Sequence, residues 1–269
     1  MKSRSLVVFS VLTLLPFAAC LLAVHVEAKE ESSTAGRPVL IELFTSEGCS
    51  SCPPADQLLA TLLAEQPVPK VQIIPLAFHV DYWNDLGWRD RFSSSAHSRR
   101  QSTYAEKLEL EGPYTPQLVV DGVTQTVGHD RNAALQLIHE SAAAPKVDVT
   151  LDVAADRSRG DRASVEIEVA APGGHVEKSD VLLAVTEDGL VTNVERGENA
   201  TRRLSHVAVV RSFDRVGSFD GKKAFTKSRR IDLDRDWQRE ALKVILVVQE
   251  KDSGRVIGLA ARQLSTPAS

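Results

Sequence analysis

Val39-Leu40-Ile41-Glu42-Leu43-Phe44-Thr45-Ser46-Glu47-Gly48-Cys49-Ser50-Ser51-Cys52-Pro53-Pro54 is the stretch on which the reading of this chain turns. Its first half is an apolar run of strand character, and it stops at a short polar turn. Two cysteines separated by two serines follow, then two prolines and the helical pattern Ala55-Asp56-Gln57-Leu58-Leu59-Ala60-Thr61-Leu62-Leu63. Prolines suit the first helical turn, because their missing donors lie where the helix has no acceptor to offer. Unpaired N–H groups at a helix start, with the positive end of the helix dipole, favour a thiolate over a thiol. The spacing also lets both sulfurs close one small ring. Cys49 and Cys52 therefore read as a redox pair.

Downstream, Val71 to Val80 reads as a second buried strand that contains Pro75, a residue without a backbone donor. The segment Asp81 to Phe92 holds Trp83 and Trp88 among charges, a composition that suits either a binding surface at a strand end or a packed loop. Ala96 to Leu110 has the pattern of a polar helix with Tyr104 and Leu108 on one side. In Gly112-Pro113-Tyr114-Thr115-Pro116-Gln117-Leu118-Val119-Val120-Asp121-Gly122-Val123, a Thr-Pro step precedes a strand that ends in an Asp-Gly hairpin turn. A cis Pro116 there would set backbone beside the two cysteines, where an extended partner chain can pair. Asp130 is placed to cap a helix over Arg131 to Ala144.

The order strand, Cys-x-x-Cys helix, strand, helix, Thr-Pro strand, hairpin strand, helix resembles the thioredoxin fold. The stretch Leu43 to Asp56, together with Phe78-His79-Val80-Asp81-Tyr82-Trp83, resembles a family of exported thioredoxin-like proteins known only as a domain of unknown function. That resemblance implies Cys49 as the attacking thiol, Cys52 as the resolving thiol, and Thr115-Pro116 beside them. Gly48 stands where thioredoxin has a tryptophan, and Ser50-Ser51 replace its Gly-Pro, so the direction of electron flow does not carry over. Glu42 lies near the place of the buried acid that assists the second cysteine in thioredoxins, which makes it a candidate proton partner of Cys52. The alternative is an acid paired with a lysine or arginine.

At Pro145 the composition changes. Alternating runs such as Val147, Val149, Leu151 and Val153, then Val165, Ile167 and Val169, replace helical ones. Val181–Val185 and Leu190–Val194 flank Asp188-Gly189 as an expected hairpin. Further strands are expected at His206–Phe213, Arg229–Leu233, Leu242–Gln249 and Val256–Ala261. The expected architecture is an α/β thioredoxin-like domain over residues 37–144 and an all-β, Ig-like sandwich over 145–265. Glu195-Arg196-Gly197-Glu198-Asn199 reads as a solvated loop, and Asn199-Ala200-Thr201 matches a glycosylation sequon.

The chain has 269 residues, 43% of them hydrophobic and 25% charged, which is the balance of a globular protein with room for more than one core. Three cysteines do not make a disulfide scaffold. A net charge of −4 argues against nucleic acid as partner. Lys2 and Arg4 precede an apolar stretch from Leu6 to Val26, and Val26-Glu27-Ala28 has cleavage-site character, so residues 1–28 are expected to be a signal peptide. The body is then exported, periplasmic or secreted, without a stable membrane span after removal of the leader. Phe17-Ala18-Ala19-Cys20 offers the alternative of a lipoprotein anchored through Cys20.

The functional expectation is an exported thiol–disulfide oxidoreductase-like protein acting on protein thiols or disulfides, with Cys49, Cys52, Thr115, Pro116 and Glu42 as its site and no cofactor. Two alternatives accompany it. One is a non-catalytic binding module with a structural disulfide; the other is a Cu(I)-handling protein using Cys49, Cys52 and His79, since thiolate and imidazole suit that ion.

Overall fold

Thirteen strands and three α-helices make up the described residues, 36–156 and 160–264 of the computed structural model. The expected leader and Cys20 lie outside them. The quoted stretch forms strand β1 (Arg37–Thr45) and helix α1 (Pro53–Glu65), with Cys52 at its N-cap position. Then come β2 (Val71–His79), α2 (Ser95–Lys107), β3 (Gln117–Val120), β4 (Thr124–Val127) and α3 (Arg131–Ser141). Ser94 and Asp130 cap α2 and α3 by accepting from Ala96 N and Ala133 N. Asp121 and Gly122 both have positive φ, 44° and 76°, as the tight β3–β4 turn demands.

Alternation along β1 sorts the core. Val39, Ile41 and Leu43 face α1 and α3 with Leu58, Leu59, Leu62, Ala134 and Ile138. Leu40 and Phe44 face the other way, toward Tyr104 of α2.

The later strands are β5 (Val149–Ala155), β6 (Arg162–Val169), β7 (Ser179–Glu187), β8 (Leu190–Asn193), β9 (Arg203–His206), β10 (Val209–Phe219), β11 (Phe225–Asp232), β12 (Leu242–Glu250) and β13 (Val256–Gln263). They do not form the separate Ig-like sandwich expected from the sequence, and β1 to α3 do not stand apart as an α/β thioredoxin-like domain. One eight-stranded mixed sheet runs β13-β12-β7-β10-β2-β1-β3-β4 across Pro145. The seam is β10 beside β2, parallel, with Val209 opposite Ala77 and Ala77 N donating to Ala208 O at 2.8 Å. The described residues accordingly form one compact unit.

The physical reason is a shared core. Leu40, Phe44, Ile74 and Phe78 from the first half pack in one cluster with Leu182, Ala184, Ile245, Val247 and Leu259 from the second. A second sheet, β11-β6-β5, covers the other face of the C-terminal strands, where Leu151, Val165 and Ile167 meet Leu183, Val185, Val244 and Leu246 of the long sheet.

Two local expectations also change. Asp188-Gly189 does not close a hairpin: β7 pairs with β10 and β12, whereas β8 pairs with β9. The run His206–Phe213 breaks at Ala208, φ 51°, so that His206 ends β9 and Val209 begins β10. Pro75 finds its explanation in the seam. On the side of β2 away from β1, Val71 N donates to Val68 O, Ile73 N to Gln66 Oε1 and Ala77 N to Ala208 O. Pro75 has the same parity, so its missing donor falls where no strand presents an acceptor.

Candidate functional site

Beyond Thr45 the chain turns sharply. Gly48 N donates to Ser46 Oγ, Cys49 N to Ser46 O and Cys52 N to Cys49 O. Ala55 N and Asp56 N then both reach Cys52 O, which starts α1 on the second cysteine. The two sulfurs form a disulfide with Cα atoms 5.5 Å apart. Neither cysteine is exposed to solvent.

Thr115 and Pro116 are brought to this turn, and the peptide bond between them is cis. Cys49 Sγ lies 4.0 Å from Thr115 O and 3.2 Å from Ser51 Oγ. Gly128 closes the floor: its N donates to Pro116 O, and a methyl there would come within 3.0 Å of Pro116 Cβ and 3.1 Å of Ala55 Cβ. Both loop tryptophans serve as walls. Trp83 Nε1 donates to Thr115 Oγ1, and Trp88 Nε1 to Glu47 Oε2, each at 2.8 Å.

Glu42 and His79 are placed elsewhere. Glu42 sits on the α2 face of the sheet, opposite α1, in an ion pair with Arg100 (Nε to Oε1, 2.6 Å) and a hydrogen bond from the Tyr104 hydroxyl. It is thus the acid paired with an arginine, away from Cys52. His79 Nδ1 is held by Asp90 Oδ2 at 2.6 Å. Among the described residues no group of three or more His, Cys, Asp or Glu side chains is arranged to hold a metal ion.

A buried ionisable cluster lies behind the turn, unforeseen from the sequence. Asp56 accepts from Thr45 Oγ1 at 2.9 Å, and Asp90 Oδ2 accepts from Glu47 N at 2.9 Å. His206 enters from the end of β9, with Nε2 3.4 Å from Glu47 Oε1 and Nδ1 3.8 Å from Asp56 Oδ2. Burial pushes the Asp56 carboxyl above the usual carboxylate range, against the pull of His206 and His79. Burial disfavours the charged His79 ring, but Asp90, Asp56 and Glu47 together outweigh it, so His79 titrates above the usual histidine range. Asp90 is held below its own range by its pairing with His79, burial notwithstanding.

The β8–β9 connection completes the site. Asn199 is fully buried, and its Nδ2 donates to Glu47 O and Cys49 O, both at 2.9 Å. Glu198 is exposed, and its Oε2 accepts from Ser50 N at 3.0 Å. The segment read as a solvated loop therefore contacts the cysteine turn directly. Its sequon asparagine is out of reach as a glycan acceptor in the folded chain. A pointer existed in the sequence, since Glu47 and Asp56 are carboxylates flanking the cysteines that ask for buried partners. Nothing in the pattern named His206 or Asn199 as those partners.

A family described as "Protein of unknown function (DUF1223)" matches residues 40–249, a span that crosses Pro145 as the long sheet does. Comparison with curated proteins finds no match. Among solved structures, protein AGR_C_4864 from Agrobacterium tumefaciens is 26% identical, with a TM-score of 0.64 over 87% of this chain and 97% of that one. HBP35 of Porphyromonas gingivalis shares the fold at 15% identity, with a TM-score of 0.57 over 85% of this chain and 76% of that one.

Proposed function

The chain belongs to the DUF1223 family, and from that premise we propose that its Cys49–Cys52 disulfide exchanges with thiols of partner proteins. The observation that carries the proposal is the position of Cys49: it begins the turn into α1 and faces the Thr115 carbonyl at 4.0 Å, beside Pro116. Backbone exposed next to a sulfur can hold an extended partner chain while sulfurs exchange. In the step proposed, a partner thiolate attacks Cys49 Sγ, the Cys49–Cys52 bond breaks, and Cys52 leaves as a thiolate. A second partner thiolate then attacks the mixed disulfide and releases Cys49. The partner dithiol becomes a disulfide, and the Cys49/Cys52 pair gains two electrons and two protons. The reverse flow uses the same atoms. Export, read from residues 1–28, belongs to this proposal because an oxidising compartment keeps the pair as a disulfide.

One observation favours a second reading, a purely structural clasp: both cysteines are shielded from solvent. The two part company in a trapping experiment. Cys52→Ala leaves Cys49 without its resolving thiol, so disulfide-linked partners should accumulate, and should vanish in Cys49→Ser/Cys52→Ala. Equilibration of the wild-type pair with glutathione gives the second arm. No adducts together with a pair that stays oxidised at strongly reducing ratios would establish the clasp and remove exchange.

A further inference from the structure

The groups that hold the cysteine turn do not all come from its own neighbourhood. Segment 194–202 lies about 150 residues further along the chain than the turn it is bonded to. It is a self-tied loop: Thr201 N donates to Val194 O at 2.8 Å, Val194 N to Arg202 O at 2.9 Å, and Arg202 N to Asn199 O at 3.1 Å. Its tip packs on the tryptophan loop through two glycines of positive φ, Gly87 (103°) and Gly197 (78°). A methyl on Gly197 would come 3.1 Å from Trp88 Cβ, so the approach depends on the absence of a side chain.

What the tip holds is specific. Asn199 ties together the carbonyls of Glu47 and Cys49, and Glu198 occupies the N–H of Ser50. Those are the backbone groups on either side of Cys49, the sulfur that an incoming thiolate must reach. Asn199 is fully buried whereas Glu198 is exposed, so one residue anchors the segment and the other lies at its rim. The Glu198 carboxylate sets a negative charge at the Ser50 N–H, one residue from Cys49, and like charges repel.

We propose that segment 194–202 is an autoinhibitory latch that keeps small thiols from the Cys49–Cys52 disulfide and yields to a protein partner that displaces it. The proposal rests on the exchange reading above and adds to it a control on access. Closed, the latch fixes the cysteine turn through Asn199 and guards its rim through Glu198. Open, it uncovers Cys49 Sγ beside Thr115 and frees the Ser50 N–H.

The test is the rate at which dithiothreitol and, separately, glutathione reduce the disulfide of the full mature chain under native conditions. Reduced cysteines are counted by alkylation and mass spectrometry. Asn199→Ala removes two hydrogen bonds and should speed reduction roughly 10-fold or more. Glu198→Gln leaves the core untouched and should speed it by about 3-fold or more, with a smaller dependence on salt. Denaturation midpoints of the same variants separate a latch from general loosening. Faster reduction in Glu198→Gln at an unchanged midpoint supports the latch. Wild-type rates in both variants overturn it, as does acceleration confined to Asn199→Ala that follows its loss of stability. The exchange reading fails separately: fast reduction in the variants without Cys49-linked adducts in Cys52→Ala leaves a latch over a structural bridge.

Discussion

Removing the charge of Arg100 tests what Glu42 does. In the native chain Arg100 Nε lies 2.6 Å from Glu42 Oε1, and the two side chains are 14% and 0% exposed. The guanidinium also donates to Tyr104 and Gln249 and stands 4.5 Å from the centre of the Phe213 ring. Arg100→Met keeps most of the apolar stem but strands the Glu42 carboxylate in the core, with the Tyr104 hydroxyl as its remaining close partner. Breaking a buried pair from one side costs about 3–5 kcal/mol, because the other charge is left uncompensated. At roughly 2–4 °C per kcal/mol for a chain of this size, Tm should fall by about 6–20 °C. Adding Glu42→Gln to Arg100→Met removes the stranded charge, so the double variant should be more stable than Arg100→Met alone. The measurements are urea denaturation and thermal melting. A parallel arm follows the pH dependence of Cys49 and Cys52 alkylation in reduced Glu42→Gln, which should match wild type, since Glu42 faces α2 and α1 lies on the opposite face. A loss below about 1 kcal/mol in Arg100→Met would refute the buried-pair reasoning. A displaced alkylation profile in Glu42→Gln would refute the separation of Glu42 from the cysteines.

The His79–Asp90 pair makes stability depend on pH on two sides. His79 has a raised pKa in the folded chain, so its contribution is complete below about 6.5 and fades as pH climbs through the folded value; Asp90 has a lowered one, so its contribution is complete above about 4 and fades as pH falls through the folded value. His79→Leu should therefore flatten the alkaline decline in denaturation midpoints, and an unaltered profile would count against the pair. Gly128→Ala should cost about 1–3 kcal/mol in urea denaturation, because the new methyl would come 2.8 Å from Leu43 Cδ1 and 3.0 Å from Pro116 Cβ. Wild-type stability in that variant would mean that Pro116 and α1 have room to part.

Much of the first half of the chain could be read from local chemistry. Cys52 and the two prolines mark the start of α1, Asp130 caps α3, and Asp121-Gly122 shapes the β3–β4 turn. Each of these is a short-range steric or hydrogen-bonding requirement that a few neighbouring residues satisfy. Glu42 was readable only as a choice between two roles, and the choice turned on which face of β1 it occupied. Asp188-Gly189 was misleading for a related reason. A turn dipeptide fixes a local reversal of the chain, but the partners of β7 were decided by β10 and β12.

By itself the sequence determined where this chain turns, where its helices begin, and that two cysteines stand at one of those beginnings. Tertiary structure alone decided that β10 joins β2 to make one sheet from two halves, and that His206, Glu198 and Asn199 arrive at the cysteine turn. The physical reason lies in the range of the forces. Caps and turns are settled within a few residues, whereas an apolar strand edge or a buried carboxylate can be satisfied by any suitable group that the folded chain carries to it.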